Sequence, residues 1–344
     1  MATPMSERQG QEDKCALVLG ATGGIGGEVA RQLREAGWQV RALHRRGAQV
    51  ASSGDGIDWR QGDAMEREAV VRAARGCSVI VHAVNPPGYR NWPKLVLPMI
   101  GNTIAAAQVA GATVVLPGTV YNYGPDAFPT LTEDQPQRPR TRKGAIRVEL
   151  ERQLQAAAAQ GVRTIVVRAG DFFGPHLIGN SWFAQGFVKA GHPVSTVRLP
   201  GRPGVGHQWA YVPDVARTMI ELIARRATLP EFATFHFGGH WDADGTRMAE
   251  AICRVATLHG ARPRQRRFPW ALVYAAAPFV TTLREMLEMR YLWREPIRLD
   301  NTRLIATLGR EPHTPLDTAV KATLAGIGCL GKEAPAAHAE LHPS

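Results

Sequence analysis

The sequence predicts an α/β protein with a doubly wound parallel sheet, and three observations predict it. A five-residue apolar run, Cys15–Leu19, leads directly into a glycine-rich loop followed by a helical pattern. Short apolar runs then alternate with helical stretches across the first two-thirds of the chain. The runs end in Gly, Asp, Asn or Thr, and sheets of this kind bind ligands at the carboxyl ends of their strands. Strand–helix alternation implies right-handed crossovers and a sheet covered on both faces, so its strands need no polar alternation.

The first unit, Cys15–Arg46, is the most informative. After the strand comes Gly20-Ala-Thr-Gly-Gly-Ile-Gly-Gly27, then a helix expected over Glu28–Ala36 with Val29, Leu33 and Ala36 on one side. Gly37 closes it where a left-handed residue is easiest. A second strand, Val40–Leu43, ends in His44-Arg45-Arg46. One glycine turns the chain out of the strand, another admits a pyrophosphate close to the backbone, and a third brings the helix close to the sheet. The helix start then offers N–H groups and the positive end of its dipole to phosphates. The spacing Gly20, Gly23, Gly26 departs from GxGxxG, and a lone glycine pattern is also the mark of a flexible turn. Strand, loop, helix and second strand in order make this a Rossmann-type dinucleotide site, with Gly20, Thr22, Gly23, Gly24, Ile25 and Gly26 as its phosphate-binding residues.

An acid at the end of the second strand would bind the ribose 2′-hydroxyl of NAD. Between Glu35 and Asp55 there is none. His44, Arg45 and Arg46 suit a 2′-phosphate instead, so NADP(H) is favoured over NAD(H). The competing reading is ordinary solvated charge on a basic protein.

At 344 residues the chain is long enough for a large core, and its 44% apolar and 21% charged content is that of a globular protein. Net charge is +11, with basic clusters at Arg138–Lys143 and Arg262–Arg267. Neither is interleaved with stacking aromatics, so no specific nucleic-acid partner is expected. Cys15, Cys77, Cys253 and Cys329 are far apart in sequence with no CxxC pair, which argues against a disulfide framework or zinc site and for a reducing, cytoplasmic setting. The polar start of the chain is not a secretory signal. Phe268–Leu283 is charge-free and apolar but interrupted by Pro269 and Pro278, too short for a membrane span. A buried or subunit-interface segment is expected there, with a peripheral membrane contact as the minority reading.

Further strands are expected at Ile57–Arg60, Val79–His82, Thr113–Leu116, Thr164–Arg168 and Phe235–Phe237. The Rossmann domain is expected over 14–179, joined by 207–240. Segments 180–206 and 241–330 form a smaller, discontinuous, substrate-covering C-terminal domain, and 1–13 and 331–344 are flexible ends.

The ordered motifs resemble the short-chain dehydrogenase/reductase superfamily, in its extended, epimerase/dehydratase-like branch, over roughly Lys14–Gly331. GATGGIG is similar to that family's cofactor loop. Gly62-Asp63 (with Ala64) stands at its adenine position, and His82-Ala83-Val84-Asn85 where the chain passes the adenine ribose. Thr119–Pro125 is similar to its serine-containing segment, Arg168–Pro175 to the segment passing the nicotinamide, and Pro200–Ala216 to its late turn into a helix. The resemblance implies a Tyr-x-x-x-Lys pair plus Ser or Thr: the tyrosine exchanges a proton, the lysine one turn later holds the ribose and lowers the tyrosine pKa, and the hydroxyl holds the reacting oxygen. Thr119 takes the hydroxyl role, or else makes a local turn bond. No Tyr-x-x-x-Lys occurs in the sequence; Lys143 and Arg147 stand in the two positions, with Glu151 one turn further. Arg147 suits the ribose. Lys143 is read equally as a proton donor or anion binder and as a lysine in a site that has lost its chemistry. Tyr121 is a further candidate donor, Tyr211 a possible substrate contact, His240 and Trp241 core or rim packing residues with substrate contact as the minority reading, Tyr123 a packing residue, and Asp171 a partner for the carboxamide or a substrate hydroxyl. Asp214 is expected to cap a helix. His207, His240 and His192 form no metal spacing.

The expected function is thus an NAD(P)-dependent oxidoreductase or epimerase/dehydratase-like protein acting on a small polar or anionic substrate, with a homodimer possible. The alternative is a non-catalytic NADP(H)-binding sensor or scaffold.

Overall fold

Buried apolar runs set the sheet. The computed structural model describes residues 14–47, 56–86, 91–177, 179 and 181–330; the expected flexible ends lie outside these. The chain begins β1 (Cys15–Leu19), α1 (Gly24–Glu35), β2 (Gln39–His44), β3 (Asp58–Gln61), α2 (Arg67–Ala74), β4 (Val79–His82), α3 (Trp92–Ala110) and β5 (Thr113–Thr119). It continues with β6 (Thr130–Leu131), α4 (Arg142–Ala158), β7 (Thr164–Ala169), β8 (Asp171–Phe173), β9 (Thr196–Leu199), β10 (His207–Tyr211), α5 (Val212–Ala224) and β11 (Phe232–His236). The last part holds β12 (His240–Asp242), α6 (Arg247–Leu258), β13 (Arg264–Arg267), α7 (Trp270–Ala276), α8 (Thr281–Glu288), β14 (Arg298–Leu299), α9 (Thr302–Leu308) and α10 (Leu316–Gly326).

Seven strands form one parallel sheet in the order β11-β7-β5-β4-β1-β2-β3. This is the doubly wound arrangement, reversing direction between β1 and β4. Alternate β1 residues feed two cores. Ala16 and Val18 pack with Val29 and Leu33 of α1 and Met219 of α5 on one face. Leu17 and Leu19 pack with Ile100 of α3 and Leu154 of α4 on the other. Burying each such Val or Leu fully contributes about 1.5–3 kcal/mol. A third core joins β8, β10, α6 and α10 through Phe173, Trp209, Ile252 and Val320. It lies under smaller sheets, β12-β10-β8 and the β13-β9 pair. Among the described residues no helix is long and apolar enough to cross a membrane.

Several local expectations are corrected. Helix α1 starts at Gly24 rather than Glu28; close packing overrides weak glycine propensity, since a Cβ on Gly26 would stand 2.2 Å from the Gly20 carbonyl oxygen. Gly37 does adopt the left-handed conformation, with φ +79°. Asp214 is not a cap: it sits inside the first turn of α5 behind Tyr211, buried, accepting from the backbone N–H and hydroxyl of Thr314 at 2.6 and 2.8 Å. Cys15 and Cys77, distant in sequence, meet with sulfurs 2.9 Å apart because β1 and β4 are neighbours; the Cys77 thiol's hydrogen bond holds the Cys15 thiol down at about 7. Phe268–Leu283 is not a buried segment either. Val273 and Ala277 point inward, but Leu272 and Phe279 stand out in solvent.

Candidate active site

A cleft of about 520 Å³ opens at the carboxyl edge of the sheet. One end is the loop after β1. Gly20 has φ +89°, and a Cβ there would be 2.6 Å from the Ala83 carbonyl oxygen. Gly26 lets α1 close onto Gly20, while Gly24 faces the Leu177 side chain, whose end would have to shift to admit a Cβ. No side chain caps α1 and its first turn holds no acid, so its positive end is directed into the cleft. A cradle that a single Cβ would fill fits a dinucleotide pyrophosphate. Thr22, Gly23 and Ile25 line it too.

The end of the cleft nearest the second strand is formed by β2, β3 and β4. His44, Arg45, Asp63, Ala64, Ala83, Val84 and Asn85 line it. The Arg46 side chain is not among the lining groups; its backbone N–H donates to His44 Nδ1 at 3.1 Å, and this shapes the turn. His82 also lines the cleft, almost wholly buried and bonded to the Thr103 hydroxyl at 2.8 Å. Burial, helped by the charge of Arg147, pushes its pKa down to about 3.

The other end gathers Thr119, Tyr121, Arg147, Asp171, Phe172 and Trp182. Thr119 Oγ1 accepts from the Tyr121 backbone N–H at 3.2 Å, which is the local turn bond, while the residue still faces the cleft. Gly144 lets α4 approach that turn, since a Cβ there would stand 2.2 Å from the Tyr121 carbonyl oxygen. Thr141 caps α4 by accepting from the Gly144 N–H at 3.0 Å. Arg147, one turn on, lies over the Trp92 ring at 4.9 Å.

Lys143 goes elsewhere. It is buried and absent from the cleft lining. Its Nζ donates to the Glu285 carbonyl at 2.7 Å and pairs with Glu285 Oε2 at 2.8 Å and Glu288 Oε2 at 3.4 Å. Facing α8 rather than the cleft, it is not placed to bind an anionic substrate. Tyr211 is packed on Phe173 at 5.3 Å, and burial pushes its hydroxyl up to about 12. His240 sits against His313 and Phe173, held down at about 4 chiefly by burial. Neither it nor Trp241 lines the cleft.

Two features were not read from the sequence. The first is a pair at the cleft floor. His207 Nε2 lies 2.8 Å from Asp171 Oδ2, its Nδ1 lies 3.2 Å from the Leu292 carbonyl, and its ring stacks on Trp293 at 3.8 Å. Both ring nitrogens face oxygens. The 2.8 Å contact is a hydrogen bond that needs one proton between Nε2 and the carboxyl, so the pair can pass a proton at the cleft floor. The fold alone supplies the signal: His207 heads the wholly buried run His207–Tyr211, and a buried polar group needs a partner. The second is a buried network in which Arg168 binds Glu151 at 2.6 Å and the Tyr123 hydroxyl at 2.8 Å, with His236 3.0 Å from that hydroxyl. An arginine inside a buried strand demands this. It fixes α4, β7 and the Tyr123 segment relative to one another.

Behind Trp182 lies a second cavity of about 620 Å³, lined by Arg202, Arg266, Arg267, Arg290 and Arg294 with Trp270 and Trp293. The Trp182 ring is 5.1 Å from Trp293 and 5.9 Å from Trp270, so an aromatic partition separates it from the cleft.

Residues 16–238 match the NAD dependent epimerase/dehydratase family. An uncharacterised protein of Sinorhizobium fredii, y4nL, is 29% identical over 197 residues, 51% of this chain and 55% of its own. A (4-alkanoyl-5-oxo-2,5-dihydrofuran-3-yl)methyl phosphate reductase of Streptomyces griseus is 42% identical over 71 residues, 21% of this chain and 25% of its own. The chain thus spans about half the length of one curated relative and a quarter of the other. Among solved structures, a UDP-glucose 4-epimerase from Thermotoga maritima with UDP-glucose superposes with TM-score 0.68 at 17% identity, covering 91% of this chain and 98% of that one. The enzyme WbmH of Bordetella bronchiseptica with NAD+ gives 0.64 at 18%, covering 91% and 97%. At such identities the likeness is one of fold.

Proposed function

The chain belongs to the NAD dependent epimerase/dehydratase family, and from that premise we propose that it is an NADP(H)-preferring hydride-transfer enzyme acting on a small, phosphate-bearing substrate. One observation carries the reading: the cleft joins a cradle that fits a pyrophosphate to the hydrogen-bonded Asp171–His207 pair. Gly20–Gly26 would hold the pyrophosphate, and His44 and Arg45 would neutralise a 2′-phosphate. Arg147, stacked on Trp92, would hold the nicotinamide ribose with a charge that does not titrate. Bound NADP(H) supplies or withdraws a hydride. The pair supplies the matching proton at Asp171, which faces the cleft, while His207 behind it shares the charge. Thr119 and Tyr121 orient the reacting oxygen. The named substrates of the Streptomyces reductase and the Thermotoga epimerase both carry phosphate.

The second reading is an NADP(H)-binding sensor or scaffold. The observation favouring it is that Lys143, in the place of the family tyrosine, is committed to Glu285 and Glu288.

The deciding experiment titrates NADPH and NADH and screens phosphate-bearing carbonyls and sugar nucleotides for turnover. Arg45→Ala should weaken NADPH binding at least tenfold and leave NADH unchanged; equal losses would remove the 2′-phosphate assignment. Asp171→Asn should lower kcat at least a hundredfold with NADPH affinity retained. Tight NADPH binding without turnover across the screen would install the sensor instead.

A further inference from the structure

The large apolar side chains exposed on the described surface are not scattered. Half of them, Leu272, Tyr274, Phe279 and Val280, fall within nine residues, with Leu272 and Phe279 69% and 88% exposed. They sit on α7, the Pro278 turn and the approach to α8. The inner side of this hairpin is firmly held. Val273 and Ala277 are buried, and Trp270 Nε1 donates to the Pro200 carbonyl at 2.8 Å. Arg290 lies over the Trp270 and Tyr274 rings at 4.7 and 4.9 Å. Lys143 clamps Glu285 and Glu288 from below. The outer side is thus an apolar crest left largely in solvent.

Its surroundings carry one sign. From Arg262 to Arg284 there are five arginines and no Asp or Glu. Strand β13, with Arg264, Arg266 and Arg267, is exposed along its whole length. The acids next in sequence, Glu285 and Glu288, face inward and are paired with Lys143, with Arg142 also on Glu285. A crest of Leu, Tyr, Phe and Val with an arginine collar matches a lipid surface: apolar side chains enter the headgroup–acyl boundary, tyrosine stays at its level, and arginines meet anionic headgroups. Helices of 7 and 8 residues, separated at Pro278, lie on a bilayer and do not cross it.

We propose that the α7–α8 hairpin docks this protein on an anionic membrane surface. Both charge complementarity and the apolar crest select this partner over a basic or neutral one. The orientation leaves the sheet-edge cleft on a different element set, so docking and cofactor binding are separable.

The test is sedimentation of the full chain with vesicles of phosphatidylcholine alone or with 30 mol% phosphatidylglycerol (a composition that sets about one lipid in three anionic). Binding should appear only with the anionic lipid and fall at least tenfold in high salt. Leu272→Ser with Phe279→Ser should reduce it at least tenfold while NADPH affinity holds, which also certifies the fold. Should that variant fail to fold, Phe279→Trp serves instead, and its emission should shift to the blue on anionic vesicles. Absence of binding, or binding untouched by the serine pair, overturns the proposal. So does self-association abolished by Phe279→Ser, which would give the crest to a second copy of the chain.

Discussion

Lys143 shows how one residue changes role with its surroundings. Position and neighbours in sequence put it one turn before Arg147, yet its four-carbon stem carries the ammonium to α8 rather than the cleft. It is 2% exposed and serves two largely buried carboxylates. Removing one partner of such a cluster leaves uncompensated charge. Lys143→Met is therefore expected to cost about 3 kcal/mol of stability, read as a lower urea midpoint, with NADPH affinity unchanged in the folded fraction. A stable variant with weakened NADPH binding would return Lys143 to the site. The Asp171–His207 hydrogen bond is the same lesson in reverse, because two residues without a sequence motif meet only when β8 and β10 align side by side.

Among the elements, the loop into α1 bears the tightest constraint. An alanine Cβ at Gly26 would meet a backbone oxygen at 2.2 Å, which cannot swing aside as a side chain would. Gly26→Ala should lower NADPH affinity at least tenfold and cost about 1–3 kcal/mol through overpacking. Gly37 is the control. Its φ of +79° makes Gly37→Ala cost about 1–2 kcal/mol, but no atom lies within 4 Å of the added Cβ, so cofactor affinity should not change. Equal effects at the two positions would mean that the loop is not a close-packed cradle. Element type and order were readable because buried parallel strands are continuous apolar runs. Element ends were less so: α1 gained a glycine-rich first turn and β5 ran on through Thr119, since tertiary contacts outweigh local propensity there.

Across the whole molecule, two buried histidines, His82 and His236, and the half-buried His240 tie stability to pH. Burial holds His82 and His236 at about 3 and His240 at about 4, from 6.5, aided by Arg147, Arg168 and His313 respectively. The unfolded chain binds protons at these sites as pH falls below 6.5, and the fold does not until about 4. Stability is therefore full above pH 7 and falls between these limits, by about 1.4 kcal/mol per pH unit for each histidine. Urea midpoints measured from pH 7 to 5, above the range where most carboxylates titrate, should decline steadily. A flat profile would contradict neutral burial of all three.

The sequence alone determined the parallel sheet, the position of the dinucleotide loop and the family to which they point, because each rests on short-range pattern: apolar runs, glycine spacing, the order of motifs. It placed Thr119, Tyr121, Arg147 and Asp171 at strand ends and on one helix, and the fold sets all four along the cleft. Tertiary structure alone decided that Lys143 serves α8, that His207 meets Asp171, that Arg168 joins Glu151, and that Phe279 stands in solvent. Those outcomes join residues 17 to 142 positions apart, or depend on what fails to cover a side chain. No local pattern encodes such meetings, because their energy comes from partners that only the folded chain supplies.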